Sequence, residues 1–216
     1  MFRTELLDLL HRGLAEMGQP LDCQKESQLI RYIELISQWN RVFNLSSIRD
    51  TDTMVARHLL DSLSILPYIK GRTIIDVGTG AGLPGIPLSI AMPDHHFCLL
   101  DNNRKKIQFL EKVSQQMSLR NVHIVNRKVE EFHVEPLFES VISRSFSTLG
   151  DFLALSKHLV KPGGQILAMK GVYPLTELQE LNPVFKVIDI HPLKVPKLSA
   201  ERHVVELMYQ PEMAVV

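Results

Sequence analysis

An excess of charge of either sign is missing from this sequence: 24 Lys and Arg stand against 24 Asp and Glu, for a formal net charge of zero. That balance excludes a polybasic coat that grips nucleic acid nonspecifically, yet leaves room for charge gathered on one face. Cysteine is scarce. Cys23 and Cys98 make neither a disulfide framework nor a zinc cluster, and free thiols in a reducing cytoplasm are the simplest reading. No apolar run approaches the ~20 residues of a membrane span. The first residues, with acids at Glu5 and Asp8, do not read as a signal peptide, so the sequence predicts a cytoplasmic protein with no membrane partner. Nine histidines show no metal-ligand spacing, and no metal site is expected. The phosphate-cradling pattern G-x-x-x-x-G-K-[ST] is absent too, which argues against a nucleotide triphosphatase.

What is present is ample apolar material: 45% hydrophobic residues, enough to bury a core without staples. Three helical patterns come first. Leu6, Leu7, Leu9, Leu10 and Leu14 form a short amphipathic segment ending near Gly18-Gln19-Pro20. Leu29, Ile30, Ile33, Ile36, Trp39 and Phe43 follow at helical spacing, and a third helix is predicted from about Thr53 to Leu66, stopped by Pro67. No strand is expected before residue 70.

From Thr73 the texture changes. Strands are predicted at Thr73–Val77, Phe97–Leu100, Val122–Val125, Ser140–Ile142 and Ile166–Met169, with helices at about Pro84–Ala91, Lys105–Met117 and Leu149–Leu159 between them. Such alternation makes an α/β protein: a doubly wound, Rossmann-like, mostly parallel sheet. Two last strand-like runs, Phe185–His191 and His203–Gln210, have no helix between them and predict an antiparallel pair at the sheet edge. Residues 1–70 thus read as an N-terminal helical extension and residues 71–216 as the α/β domain. The order of elements resembles a class I S-adenosylmethionine-dependent methyltransferase.

The most informative segment runs Ile74-Ile75-Asp76-Val77-Gly78-Thr79-Gly80-Ala81-Gly82-Leu83-Pro84-Gly85. A buried strand enters a glycine-dense turn and then a helix, the place where open α/β sheets bind ligands. Gly80, Gly82 and Gly85 formally satisfy the dinucleotide fingerprint G-x-G-x-x-G, and Asp101 closes the next strand as a ribose-binding acid should. Two details oppose NAD. The glycine run already begins at Gly78, and Asp76 puts a carboxylate near the strand end, where it can meet an ammonium group. S-adenosylmethionine has such a group and NAD does not. Asp101 reads either as a ribose ligand or as the N-cap of the following helix.

Seven motifs then occur in order: Arg57-His58-Leu59-Leu60-Asp61-Ser62-Leu63, Asp76 to Gly85, Leu100-Asp101, Val129-Glu130-Glu131, Ser143-Arg144-Ser145-Phe146, Met169-Lys170-Gly171 and Glu201-Arg202-His203. Together they resemble the glucose-inhibited division protein B family of ribosomal RNA small-subunit methyltransferases, over nearly the whole chain. The resemblance implies transfer of methyl from S-adenosylmethionine to guanine N7 in 16S ribosomal RNA, the partner being that RNA, the small subunit or its assembly intermediate. It also implies that Gly78 and Leu83 line the methionine end, Val129 and Glu130 the adenine, and that Arg144 lies beside the cofactor facing the substrate. Many relatives read Arg-Ala-Glu where this chain has Lys128-Val129-Glu130, and Ala where it has Ser145.

The residues fit that chemistry independently. Guanine N7 offers an in-plane lone pair and no proton, so attack on a sulfonium methyl needs alignment and dryness rather than a base. A cytosine-C5 enzyme needs a nucleophilic cysteine, but Cys98 falls in a predicted buried strand and Cys23 in the extension. The Asn/Asp-Pro-Pro-Tyr/Phe run usual in exocyclic-amine methylases is replaced by Ser143-Arg144-Ser145-Phe146. Arg144 and Lys170 are the candidate catalytic residues on the strand-end rim. Phe146, as a base-stacking ring or a core residue, and Arg202, near Lys194 and Lys197, are candidates for RNA. His58 and Asp61, three apart on one helix, read more readily as a pair joining two helices than as a brace for the pocket, though His58 stays a candidate substrate contact. A same-fold methyltransferase of small molecules or proteins, and a noncatalytic ribosome-assembly factor, remain open on sequence grounds.

Overall fold

The computed structural model describes residues 3–144, 146 and 148–211. Helix α1, Arg3–Glu16, buries Leu6, Leu10 and Leu14 on one stripe. Its Gly13 allows close approach, since a Cβ there would stand 2.4 Å from Leu60 Cδ1. Helix α2, Cys23–Phe43, opens where Asp22 accepts from Lys25 N at 2.9 Å and closes on Asn44 in the left-handed region at φ 49°. Its inner stripe holds Leu29, Ile30, Tyr32, Ile33 and Ile36. Each such fully buried Leu or Ile contributes about 1.5–3 kcal/mol over exposure, so these helices belong to the core.

The third helical stretch differs from expectation. It begins at α3, Thr51–Met54, capped by Asp50, widens into a π-helical segment at Val55–Leu60, and tightens again in α4, Asp61–Leu63. Periodicity could not reveal the wide turn, which hydrogen-bonds five residues apart and alters which residues share a face.

Seven strands follow: β1 Thr73–Val77, β2 His96–Asp101, β3 Val122–Asn126, β4 Phe138–Ser143, β5 Val160–Lys170, β6 Phe185–Pro192 and β7 His203–Tyr209. They lie in the order β3-β2-β1-β4-β5-β7-β6. All neighbours are parallel except β7, which runs antiparallel to both β5 and β6, as the helix-free connection predicted. Between the strands lie α5 Gly85–Ala91, α6 Arg104–Met117, α7 Leu149–Ser156 and α8 Leu175–Gln179. The last of these had no counterpart in the sequence reading.

Alternation along the strands divides the core. Ile74, Leu99, Ile142 and Leu167 face a layer made by α1, α2, α5 and α6. Ile75, Leu100, Val141 and Ile166 face the other way, against Leu149, Phe152 and Leu153 of α7. The N-terminal helices therefore share one continuous core with the sheet. Strand order reverses between β1 and β4, and their carboxyl ends open the crevice where such sheets take ligands. Among the described residues, no helix is long and apolar enough to cross a membrane.

Candidate active site at the carboxyl rim of the sheet

The glycine turn is built so that most of its own N–H groups are consumed. Gly78 N and Thr79 N donate to Leu100 O, Gly80 N to Asp101 Oδ2, Gly82 N and Leu83 N to Thr79 O, and Gly85 N to Asp76 Oδ2. A turn so satisfied offers little to a pyrophosphate, which in dinucleotide sites is held by free N–H groups at a helix start. Left-handed torsions make the shape possible, with φ at +69° for Gly78, +63° for Gly80 and +95° for Gly82. Gly85 serves close packing instead, because a Cβ there would fall 2.2 Å from Leu99 Cδ2.

Asp76 lies beneath this turn, fully buried. Its Oδ2 accepts from Thr79 Oγ1 at 2.7 Å and from Gly85 N at 2.8 Å, while Oδ1 has no partner. Burial pushes its pKa up to about 6, against the lowering effect of those bonds. The side chain is wholly buried, and through these two bonds it supports the turn from below. Leu83 likewise packs into the core rather than lining a cavity, and Gly80 and Gly82 shape the turn without touching one.

Two cavities share the rim. The first, about 480 Å³, is lined by Gly78, Asp101, Val129, Glu130 and Phe146 among others. Asp101 stands at its floor, Oδ2 held by Gly80 N and Oδ1 by Asn103 N, both at 2.8 Å. Asn103, not Asp101, caps α6, accepting from Lys105 N and Lys106 N. The capping alternative for Asp101 is thereby set aside. Val129 and Glu130 arrive on a short 3-10 turn, Val129–Glu131, opposite the β2 end.

Phe146 takes the core alternative of its two sequence readings. Its ring packs 5.2 Å from that of Phe152 and faces Gly78, in the wall of this first cavity. It lines the first cavity and not the second, which Arg144 lines. Neighbouring Ser145 lies outside the described residues.

The second cavity, about 390 Å³, lies between the ends of β4 and β5 and the π-helical turn. Arg57, His58, Asp61, Arg144, Lys170 and Arg202 line it. Here the expected His58–Asp61 pair does not form. His58 Nε2 meets Ser46 Oγ at 2.9 Å and its Nδ1 has no partner, while Asp61 binds arginines. The π-helical widening explains it, since residues three apart no longer stack as on an α-helix. Burial, then the Arg144 guanidinium, lowers the His58 pKa to about 4, so the ring is neutral at physiological pH.

Arg144 Nη1 donates to Arg57 O and to Asp61 Oδ2, each at 3.1 Å. Arg202 Nε donates to Asp61 Oδ1 at 2.9 Å. Lys170 is no solvated lysine: its side chain is 11% exposed and Nζ pairs with Glu177 of α8 at 2.8 Å. Arg144, Lys170, Arg202 and His58 thus line one pocket together with Asp61, whereas the sequence reading had set only Arg144 and Lys170 on a common rim.

Sequence reasoning missed Tyr32, whose hydroxyl donates to Ala81 O at 2.6 Å and props the turn from α2. Its signal was a polar handle on the buried stripe of Leu29, Ile33 and Ile36. Cys98 is buried, its thiol pushed up to about 12, which removes it as a nucleophile. Among the described residues, no group of three or more His, Cys, Asp or Glu is placed to hold a metal ion.

The architecture has known counterparts. An S-adenosylmethionine-dependent methyltransferase from Aquifex aeolicus superposes with a TM-score of 0.54 at 19% identity, over 70% of this chain and 90% of its own. The M. jannaschii protein TYW2, in complex with AdoMet, gives 0.55 at 16% identity, over 70% and 75%. At such identities the likeness shows the fold, that of class I methyltransferases. Sequence relatives go further. "Ribosomal RNA small subunit methyltransferase G" of Aromatoleum aromaticum is 47% identical over 203 residues, covering 92% of this chain and 96% of its own. The protein of the same name in Saccharophagus degradans is 48% identical over 198 residues, covering 92% and 89%. The family model described as rRNA small subunit methyltransferase G matches residues 25–205. With the glycine turn, the cavity that Asp101 lines and the arginine pocket arranged as above, the chain belongs to the rRNA small subunit methyltransferase G family.

Proposed function

We propose that this protein methylates N7 of a guanine in 16S ribosomal RNA, in the cytoplasm, on the small subunit or a precursor of it. One observation carries the reading: a nucleoside-sized cavity lined by a carboxylate opens on the same rim as a cationic pocket in which Asp61 is paired and His58 is only a weak base. The first cavity lies within the ~300–1,000 Å³ range of small-molecule sites. S-adenosylmethionine, the cofactor, supplies an electrophilic methyl group on sulfur. In this reading Asp101 accepts from ribose hydroxyls and Val129 and Glu130 enclose the adenine, a reading supported by their lining one cavity. The unpartnered Oδ1 of Asp76 adds negative potential beneath the turn.

The cationic pocket would take the acceptor nucleotide. Arg144 and Arg202 can donate to guanine O6 or to phosphate. Lys170, neutralised by Glu177, braces the rim rather than offering a free charge. His58 is a weak base because burial holds it neutral, and Asp61 is committed to two arginines. That poverty of bases suits N7, which gives up no proton in the step. Alignment and exclusion of water are then the chain's contribution. Residues 1–70 form the helical extension and residues 71–216 the methyltransferase domain, their shared core supporting one folding unit.

The test is transfer of labelled methyl to small-subunit RNA from cells that lack this modification. Incorporation into RNA with none into small acceptors or protein is expected. Failure on both naked RNA and assembled subunits removes the reading. An Arg144→Ala variant that abolishes transfer yet preserves the cellular phenotype would favour an assembly factor instead.

A further inference from the structure

The second cavity encloses an arrangement that binding alone does not explain. Asp61 is 3% exposed, and its two oxygens are divided between two guanidinium groups, Arg144 on Oδ2 and Arg202 on Oδ1. The arginines are 83 and 141 residues away in sequence, one following β4 and the other preceding β7. Neither Arg144 Nη2 nor Arg202 Nη2 has a protein acceptor among the described residues.

A guanidinium is planar, and each of these is held by one bond to Asp61 and one to a backbone carbonyl, Arg57 O for Arg144 and Glu201 O for Arg202, which together restrict the direction of its remaining donors. A single buried carboxylate that holds two of them sets two groups of donors at once. The same carboxylate subtracts one charge from a pocket otherwise lined by Arg57, Arg144, Lys170 and Arg202. For attraction of an RNA nucleotide that charge is a loss. For holding the nucleotide in line with the methyl donor it is a gain.

We infer that Asp61 is a positioning residue for methyl transfer, acting through Arg144 and Arg202, and that it lowers RNA affinity while aligning the acceptor nucleotide. The N-terminal helical segment is therefore part of the active site rather than an appendage. This deepens the proposed function and rests on it.

The experiment compares wild type with Asp61→Asn in methyl transfer to small-subunit RNA, with rates normalised to sites counted by S-adenosylmethionine titration so that misfolded protein drops out. In the variant, kcat is expected to fall roughly 10- to 100-fold, the scale of a misaligned reactant. RNA affinity is expected to stay equal or tighten, and its log–log salt dependence to steepen by about one released cation. An unchanged kcat overturns the inference, as does RNA binding lost in proportion to rate. Wild-type protein that transfers no methyl to RNA fails the parent reading instead, before any variant is compared. Should Asp61→Asn yield no folded protein, Asp61→Glu keeps the charge and both arginines while displacing the carboxylate that orients them. A fall in kcat at unchanged RNA affinity is again expected there, and an unchanged kcat again overturns the inference.

Discussion

Tyr32 Oη stands 2.6 Å from the carbonyl oxygen of Ala81 and donates to it across the boundary between helix α2 and the glycine turn. Burial holds the Tyr32 pKa well above 10, so the hydroxyl stays a donor at every pH of interest. Tyr32→Phe leaves the Ala81 carbonyl without its partner in a dry place, at about 1–2 kcal/mol. Thermal unfolding should register that loss, and calorimetry should find weaker S-adenosylmethionine binding. A variant unchanged in both would detach α2 from the cofactor site.

Within the turn, the glycines differ in what they forbid. A Cβ at Gly82 would stand 2.5 Å from Ile86 Cγ1 and 2.7 Å from Leu110 Cδ2, on top of a φ of +95°. At Gly80 the nearest atom is Lys106 Nζ at 3.7 Å, leaving torsional strain alone. Gly82→Ala should therefore destabilise by more than about 2 kcal/mol, and Gly80→Ala by about 1–2 kcal/mol. Denaturant midpoints of the two proteins decide it, and equal losses would contradict the packing described.

Asp101→Ala should weaken S-adenosylmethionine binding by about 1–3 kcal/mol through lost charged hydrogen bonds. Asp101→Asn keeps an acceptor for Gly80 N or Asn103 N but not both, so thermal unfolding measured beside binding separates the ribose contact from support of the turn. A dissociation constant unmoved in both variants removes Asp101 from the binding site.

Two buried groups push stability in opposite directions with pH. His58, lowered from 6.5 to about 4, contributes stability that is present above pH 6.5 and lost as pH falls through that window. Asp76, raised from 3.8 to about 6, contributes stability that is present below pH 3.8 and lost as pH rises through 6. Each is worth on the order of 3 kcal/mol, so they nearly cancel in the wild type. Asp76→Asn should leave a protein whose urea midpoint climbs between pH 4 and 6.5, and His58→Asn one whose midpoint drops over the same range. Parallel profiles for the two variants would rule out these assignments.

The sheet was legible because each strand is a short apolar run bounded by turn residues, and the glycine turn because few structures other than a ligand loop require φ > 0 at Gly78, Gly80 and Gly82. Side-chain partners were harder. Asp61 sits three residues from His58, and spacing alone pairs them; a π-helical turn, invisible in the pattern, sends Asp61 to Arg144 and Arg202 instead. Phe146 follows a strand beside Arg144, yet the chain turns it toward Gly78 and Phe152. Helix α8 spans only Leu175–Gln179, too short for a periodic signal, so the Glu177 partner of Lys170 went unseen.

The central claim, methyl transfer to a guanine ring nitrogen, is tested most directly by mapping the modified position. Small-subunit RNA from cells with and without this protein is reduced, cleaved with aniline and read by primer extension, a sequence of steps that breaks the chain at N7-methylguanine. The account predicts one protein-dependent stop, at a guanine, restored by wild type and not by Arg144→Ala. Identical patterns from the two strains, or a protein-dependent methyl group found on another base or atom, would contradict it.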